Sequence, residues 1–139
     1  MKKIYLGFLI PALAGFISVY LLKRYGILFP EKFSPSKILS TGILVISSIS
    51  ALAGPVFLRA NFANSVKGKK STRNDKFMAF EKKLIRLALI TPYFCIAAYI
   101  FDLTSFYMTA IFLLTLYSLY YFYPSERRIN FERRIFRVK

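Results

Sequence analysis

Charge and apolarity are segregated along this chain in a way that a bilayer demands and a soluble core does not. Four apolar runs, residues 4–22, 38–58, 84–101 and 103–123, carry a single charged side chain between them, Arg86. The other basic residues sit between the runs or at the ends. At about 1.5 Å per helical residue, each run extends roughly 27–32 Å, the thickness of a hydrocarbon core. The expected fold is an all-α integral membrane protein, a four-transmembrane-helix bundle in up-down-up-down order with cytoplasmic N- and C-termini.

The charge balance supports this reading against a soluble one. The chain combines a net charge of +15 with 56% hydrophobic residues. Such a charge on a soluble domain would point to nucleic acid, but a nucleic-acid module interleaves its basic residues with its fold. No nucleic-acid partner is therefore expected.

Counting Lys and Arg sets the orientation. Four spans put the N-terminus, the connection from Arg59 to Arg86 and the tail on one face, and these hold seventeen basic residues. The opposite face holds four: Lys23, Arg24, Lys32 and Lys37. The positive-inside rule makes the rich face cytoplasmic and the location a bacterial-type inner membrane. Met1-Lys2-Lys3 followed by an apolar stretch and Ala12-Leu13-Ala14 has the outline of a secretory signal. The run continues to Leu22 without turning polar, so an uncleaved first span is expected.

The third and fourth runs are separated only around Asp102-Leu103-Thr104-Ser105, and one helix of their combined length would be about twice too long for a bilayer. A tight hairpin is expected, with Asp102, Thr104 or Ser105 capping the returning helix. A second reading makes Asp102 a functional carboxylate within the membrane. Pro11, Pro55 and Pro92 each remove a helical hydrogen bond and predict kinks. The second span carries Ser47 and Ala51, and Ser50 and Gly54, at the small-xxx-small spacing that lets helices approach closely. Those four are the expected helix-packing residues.

The basic connection 59–83 is expected to begin as a loop through Asn61, Asn64, Ser65, Gly68, Ser71, Thr72 and Asn74. From about Asp75 it turns helical, with Phe77, Phe80 and Leu84 on one face. Residues 124–139 form a basic amphipathic tail in which Ser125 can cap a helix after Pro124. Its apolar positions mix two periods, which leaves its secondary structure open. Arg127, Arg128, Arg133, Arg134 and Arg137 suit lipid phosphates or an acidic partner. A plain topology anchor is the alternative. Tyr117, Tyr120, Tyr121 and Tyr123 are expected to form an interfacial belt.

Chemistry is thinly represented. The chain has no His and one Cys, Cys95. This excludes imidazole-based catalysis, an internal disulfide and a cysteine-built zinc site, and no cofactor or metal is expected. No span has an ionisable acid or base near its centre, as a coupled transporter usually needs. The hydroxyls of Ser18, Ser40, Ser48, Thr109, Thr115 and Ser118 are expected to bond within or between helices. The reading is a non-catalytic inner-membrane accessory subunit, assembly factor or scaffold, with anionic phospholipids and a membrane-protein partner or a second copy as its company. A small homo-oligomeric permease, flippase or pore for a lipid-linked or uncharged substrate is the alternative.

Overall fold

Seven helices account for nearly all of the described backbone in the computed structural model, which covers residues 1–27, 35–68 and 71–138. Of the residues in the charge count, Lys32, Lys69, Lys70 and Lys139 lie outside the described residues. Helix α1 spans Lys2–Arg24, and Pro11 lies within it without breaking it. Helix α2 (Lys37–Ser48) is capped by Ser36, whose Oγ accepts from Leu39 N at 3.2 Å. A π-helical turn, Ile49–Ala53, joins it to α3 (Gly54–Val66). Helices α4 (Asn74–Ala88), α5 (Thr91–Ile100), α6 (Ser105–Tyr121) and α7 (Glu126–Ile135) follow.

The molecule is an all-α bundle in which three helical stretches, Lys2–Arg24, Lys37–Val66 and Asn74–Ile100, are long and apolar enough to cross a membrane. The number becomes four if α6 and α7, bent by 77° at Pro124, count as one broken span. The apolar part of the third stretch follows Lys83, and Arg86 is its one charged residue.

Each break in the long helices has a proline behind it. Pro55 has no N–H, and its ring would press on the Ala51 carbonyl four residues back. The π turn opens that segment, and Gly54 N bonds instead to Ile49 O, five residues away. Pro92 likewise leaves the Ala88 carbonyl without its helical donor. Ser118 Oγ of α6 donates to it at 2.5 Å. Beside it, Ser50 Oγ donates to Leu87 O at 2.8 Å and accepts from Thr91 Oγ1 at 3.2 Å. The Ser118 hydroxyl thus re-satisfies the carbonyl that Pro92 frees, the arrangement an apolar surrounding requires. Ser18, Ser48 and Thr115 bond back to carbonyls of their own helices.

The α5–α6 hairpin corrects one expectation. Thr104 occupies the N-cap of α6 without a side-chain cap bond. Asp102 stops α5 instead. With φ of 54° it takes the left-handed position after the helix, where glycine is usual. Its N–H reaches Tyr99 O at 3.4 Å, and Leu103 N reaches Ala98 O at 3.2 Å. Asp tolerates this conformation better than most side chains.

A second correction concerns residues 60–66, expected as loop and found as the last two turns of α3. Composition there is polar, but Phe62 stacks on Phe80 of α4 with centroids 4.2 Å apart, so packing overrides propensity.

Contacts between distant segments fix the bundle's two ends. Tyr5 donates to Leu119 O at 2.8 Å and meets the Tyr123 ring edge-on. Arg59 bonds to Tyr121, and Thr72 pairs with Val138 in a short parallel bridge. At the other end Lys23 meets Asp102 and Thr41 meets Tyr107. The start of α1, the 59–83 connection and the tail therefore share one end of the bundle.

Candidate functional site

The tail-bearing end contains a buried ionic cluster in a chain with only 6 acidic residues against 21 basic ones. It is assembled from three helices. The apolar stripe of α4, Phe77, Leu84, Ile85 and Ala88, is fully buried and includes Glu81 at the same helical spacing. Pro124 breaks the chain after α6, and Ser125 starts α7 by accepting from Arg128 N at 3.2 Å. Helix α7 then folds back so that Arg128 and Glu132, one turn apart, face inward. Phe136 at its end packs against Phe62, Phe77 and Phe80. Arg59 enters from α3.

The resulting geometry is a crossed set of ion pairs. Arg128 Nη2 donates to Glu81 Oε2 at 2.6 Å and Arg128 Nε to Glu132 Oε1 at 3.4 Å. Arg59 Nη2 also donates to Glu132 Oε1, while its Nη1 donates to Tyr121 Oη at 3.0 Å. Glu81 and Glu132 are 0% and 1% exposed. The Arg128 guanidinium stacks over the Phe122 ring, 5.6 Å from its centroid. Arg133 reaches Asn74 Oδ1 at 2.9 Å, fastening α7 to the start of α4.

Arg128 bridges the two carboxyl groups, and Glu132 in turn acts on Glu81. Glu81 Oε1 and Glu132 Oε2 each lack a donor, and Arg128 Nη1 lacks an acceptor. Burial, and then the hydrogen bond to Glu132, push the Glu81 carboxyl up to about 8 against the pull of Arg128. Glu81 precedes the apolar part of its helix, so this chemistry belongs to the end of the bundle and not to its middle. The raised Glu81 carboxyl favours its neutral, proton-donating form.

Beside the cluster opens a pocket of about 780 Å³ between the end of α6 and the start of α7. Arg59, Arg128, Glu132 and Ser125 form its polar wall, and Leu116, Leu119, Tyr120, Tyr123 and Phe131 its apolar wall. Among the described residues no three His, Cys, Asp or Glu side chains converge on a metal position.

The residues singled out from the sequence are distributed as follows. Arg127, Arg134 and Arg137 are exposed. Arg128 differs from expectation: its side chain is only 13% exposed and is committed to Glu81 and Glu132. Arg133 is half-buried. Each Arg-Arg pair thus divides into one outward and one inward side chain, because neighbours on a helix point about 100° apart. Ser47, Ser50 and Ala51 are buried, and Ser50 faces α4 and α5 of the same chain. A Cβ on Gly54 would fall 2.6 Å from Leu87 Cδ2, so α3 and α4 approach closely there. Asp102 is exposed at the opposite end and pairs with Lys23 at 3.0 Å, whose ammonium lies over the Tyr99 ring.

Sequence reasoning missed Glu81, Glu132 and Arg59 as a unit. The signal available was an acid placed inside an apolar helical stripe, and a second acid one turn beyond an arginine. Comparison with protein-family models, with curated protein sequences and with solved structures finds no match.

Proposed function

We propose that this chain is a multi-pass, non-catalytic protein of a bacterial-type inner membrane, with both ends cytoplasmic, acting as an accessory subunit, assembly factor or scaffold of a larger membrane complex. The observation that carries the reading is the outward face of α7. Arg127, Phe131 and Arg134 follow one another at spacings of four and three and so lie on one side of the helix, with Ile135 exposed at its edge. Phe131 is 62% and Ile135 53% exposed. The opposite side of α7 is fixed to the bundle by Arg128, Glu132 and Arg133. A tail that only set topology would need neither the anchoring contacts nor exposed apolar side chains between its arginines. A rigid helix showing a basic and apolar face is suited to an acidic, partly apolar partner surface.

The apolar flanks of α1, where Leu6, Ile10, Leu13 and Ile17 are exposed, supply the surface that lipid or a partner's helices would cover.

Extraction from the native membrane in mild detergent through an N-terminal tag, followed by mass spectrometry, tests the reading. A stoichiometric partner is expected, and it should be lost when Phe131 and Ile135 are both replaced by Ser. Recovery of the native protein alone and monodisperse would sink the proposal, and a clean homo-oligomer would favour the small permease, flippase or pore instead.

A further inference from the structure

The polar wall of the pocket beside the ion-pair cluster is built to receive an anion. Arg59 and Arg128 line it beside Glu132, and the Arg59 side chain remains 31% exposed. Ser125 marks the start of α7 at the same wall, and a helix N-terminus adds positive potential.

The opposite wall says what carries the anion. Leu116 and Tyr120 line the pocket, and Leu113 continues their line away from it along α6 at spacings of three and four. All three are exposed: Leu113 60%, Leu116 47% and Tyr120 88%. A soluble anion would have no use for an apolar track leading out of its site toward the bundle's middle. A molecule with a negative head and a hydrocarbon tail fits both parts.

We infer that this pocket is a specific site for one anionic phospholipid, its phosphate held by Arg59 and Arg128 and an acyl chain laid along Leu116 and Leu113. The inference rests on reading the chain as membrane-embedded and needs no protein partner. It also moves lipid recognition from the exposed arginines of the tail to a pocket half walled by α6. Exposed basic side chains attract any anionic surface within a Debye length. A pocket with fixed guanidiniums and an apolar track selects a headgroup charge and retains the lipid when the bilayer is removed.

The full chain is incorporated into vesicles of equal parts phosphatidylcholine and phosphatidylglycerol. Flotation establishes insertion, and native mass spectrometry after gentle detergent release counts the lipids retained. The native chain should keep one phosphatidylglycerol in preference to phosphatidylcholine. Arg59→Gln should weaken retention about tenfold. Tyr120→Glu, which places a carboxylate at the mouth and leaves every ion pair intact, should do the same. An Arg127→Gln and Arg134→Gln double variant removes two charges outside the pocket and should retain the lipid. The inference is overturned by any of four results: no headgroup preference in the native chain, unchanged retention in Tyr120→Glu, equal loss in the double variant, or displacement of the lipid by inorganic phosphate. If Arg59→Gln fails to insert, Tyr120→Glu decides. Failure of the native chain itself to float would overturn the membrane reading as well, which separates the two failures.

Discussion

The two ends of the bundle each join a cation to a carboxylate across a long stretch of sequence, and they do so in opposite ways. Lys23 and Asp102 meet at 3.0 Å with the Asp102 side chain 71% exposed. Such a pair contributes about 0–1 kcal/mol, since water competes for both groups. At the other end Arg128 meets Glu81 at 2.6 Å with Glu81 fully buried. Removing one partner there strands a charge that water cannot reach, at a cost of about 3–5 kcal/mol. Identical chemistry therefore decorates one end and organises the other. Burial, not the count of ion pairs, sets where this molecule is rigid.

Glu132→Ala tests that contrast most severely, because it leaves both Arg59 and Arg128 short of a carboxylate. A loss of about 3–5 kcal/mol is expected, read as rapid amide exchange across α7 and as early cleavage of the tail by trypsin. A tail that stays protected would mean that the Phe cluster alone holds α7.

The pH dependence sharpens the comparison. Glu81 binds its proton more tightly in the folded protein than in the unfolded one, about 8 against 4.5. Between those values the folded state carries more protons, so stability falls as pH rises. The contribution is fully present below about pH 4.5 and is lost as pH rises through about 8. Tail docking should weaken across this window, and Glu81→Gln should flatten the slope by keeping a permanent donor toward Glu132. Thermal unfolding in detergent at a series of pH values measures it, and an equal slope in the variant would refute the raised Glu81 carboxyl.

Gly54→Ala comes next. The added methyl meets Leu87 Cδ2 at 2.6 Å and Ile49 O at 2.9 Å. Overpacking of this kind costs about 1–3 kcal/mol, and the melting temperature should fall accordingly. The smallest effect belongs to Asp102→Asn, which keeps a side chain tolerant of the left-handed turn and removes only the exposed pair. A change of about 0–1 kcal/mol in thermal stability is expected. A larger loss would show that the exposed end is organised after all.

These effects follow how legible each region was in the sequence. Apolar runs and prolines act locally, so the long helices, the hairpin near Asp102 and the break at Pro124 could be read residue by residue. Ser125 as the cap of α7 was legible for the same reason. The ionic cluster was not, because Arg59, Glu81 and Arg128 are separated by tens of residues and their meeting depends on how α7 folds back. Arginine pairs on the surface and arginines in a buried fork have the same spelling. The loop expected after Arg59 was misread for a related reason: Phe62 extends α3 only because Phe80 is there to receive it.

The π turn at Ile49–Ala53 has a consequence for how this chain can change length. Its wider winding accommodates one residue more than an α-helix would over the same rise, and one residue corresponds to about 100° of rotation. Deleting a single residue from the turn would restore ordinary winding with Lys37–Ser48 kept in phase, and the cost would fall on Pro55, forced against a carbonyl. An insertion in the exposed connection near Gly68 would disturb no such phase. Between its two ends, then, the second long helix is a place where length is counted one residue at a time.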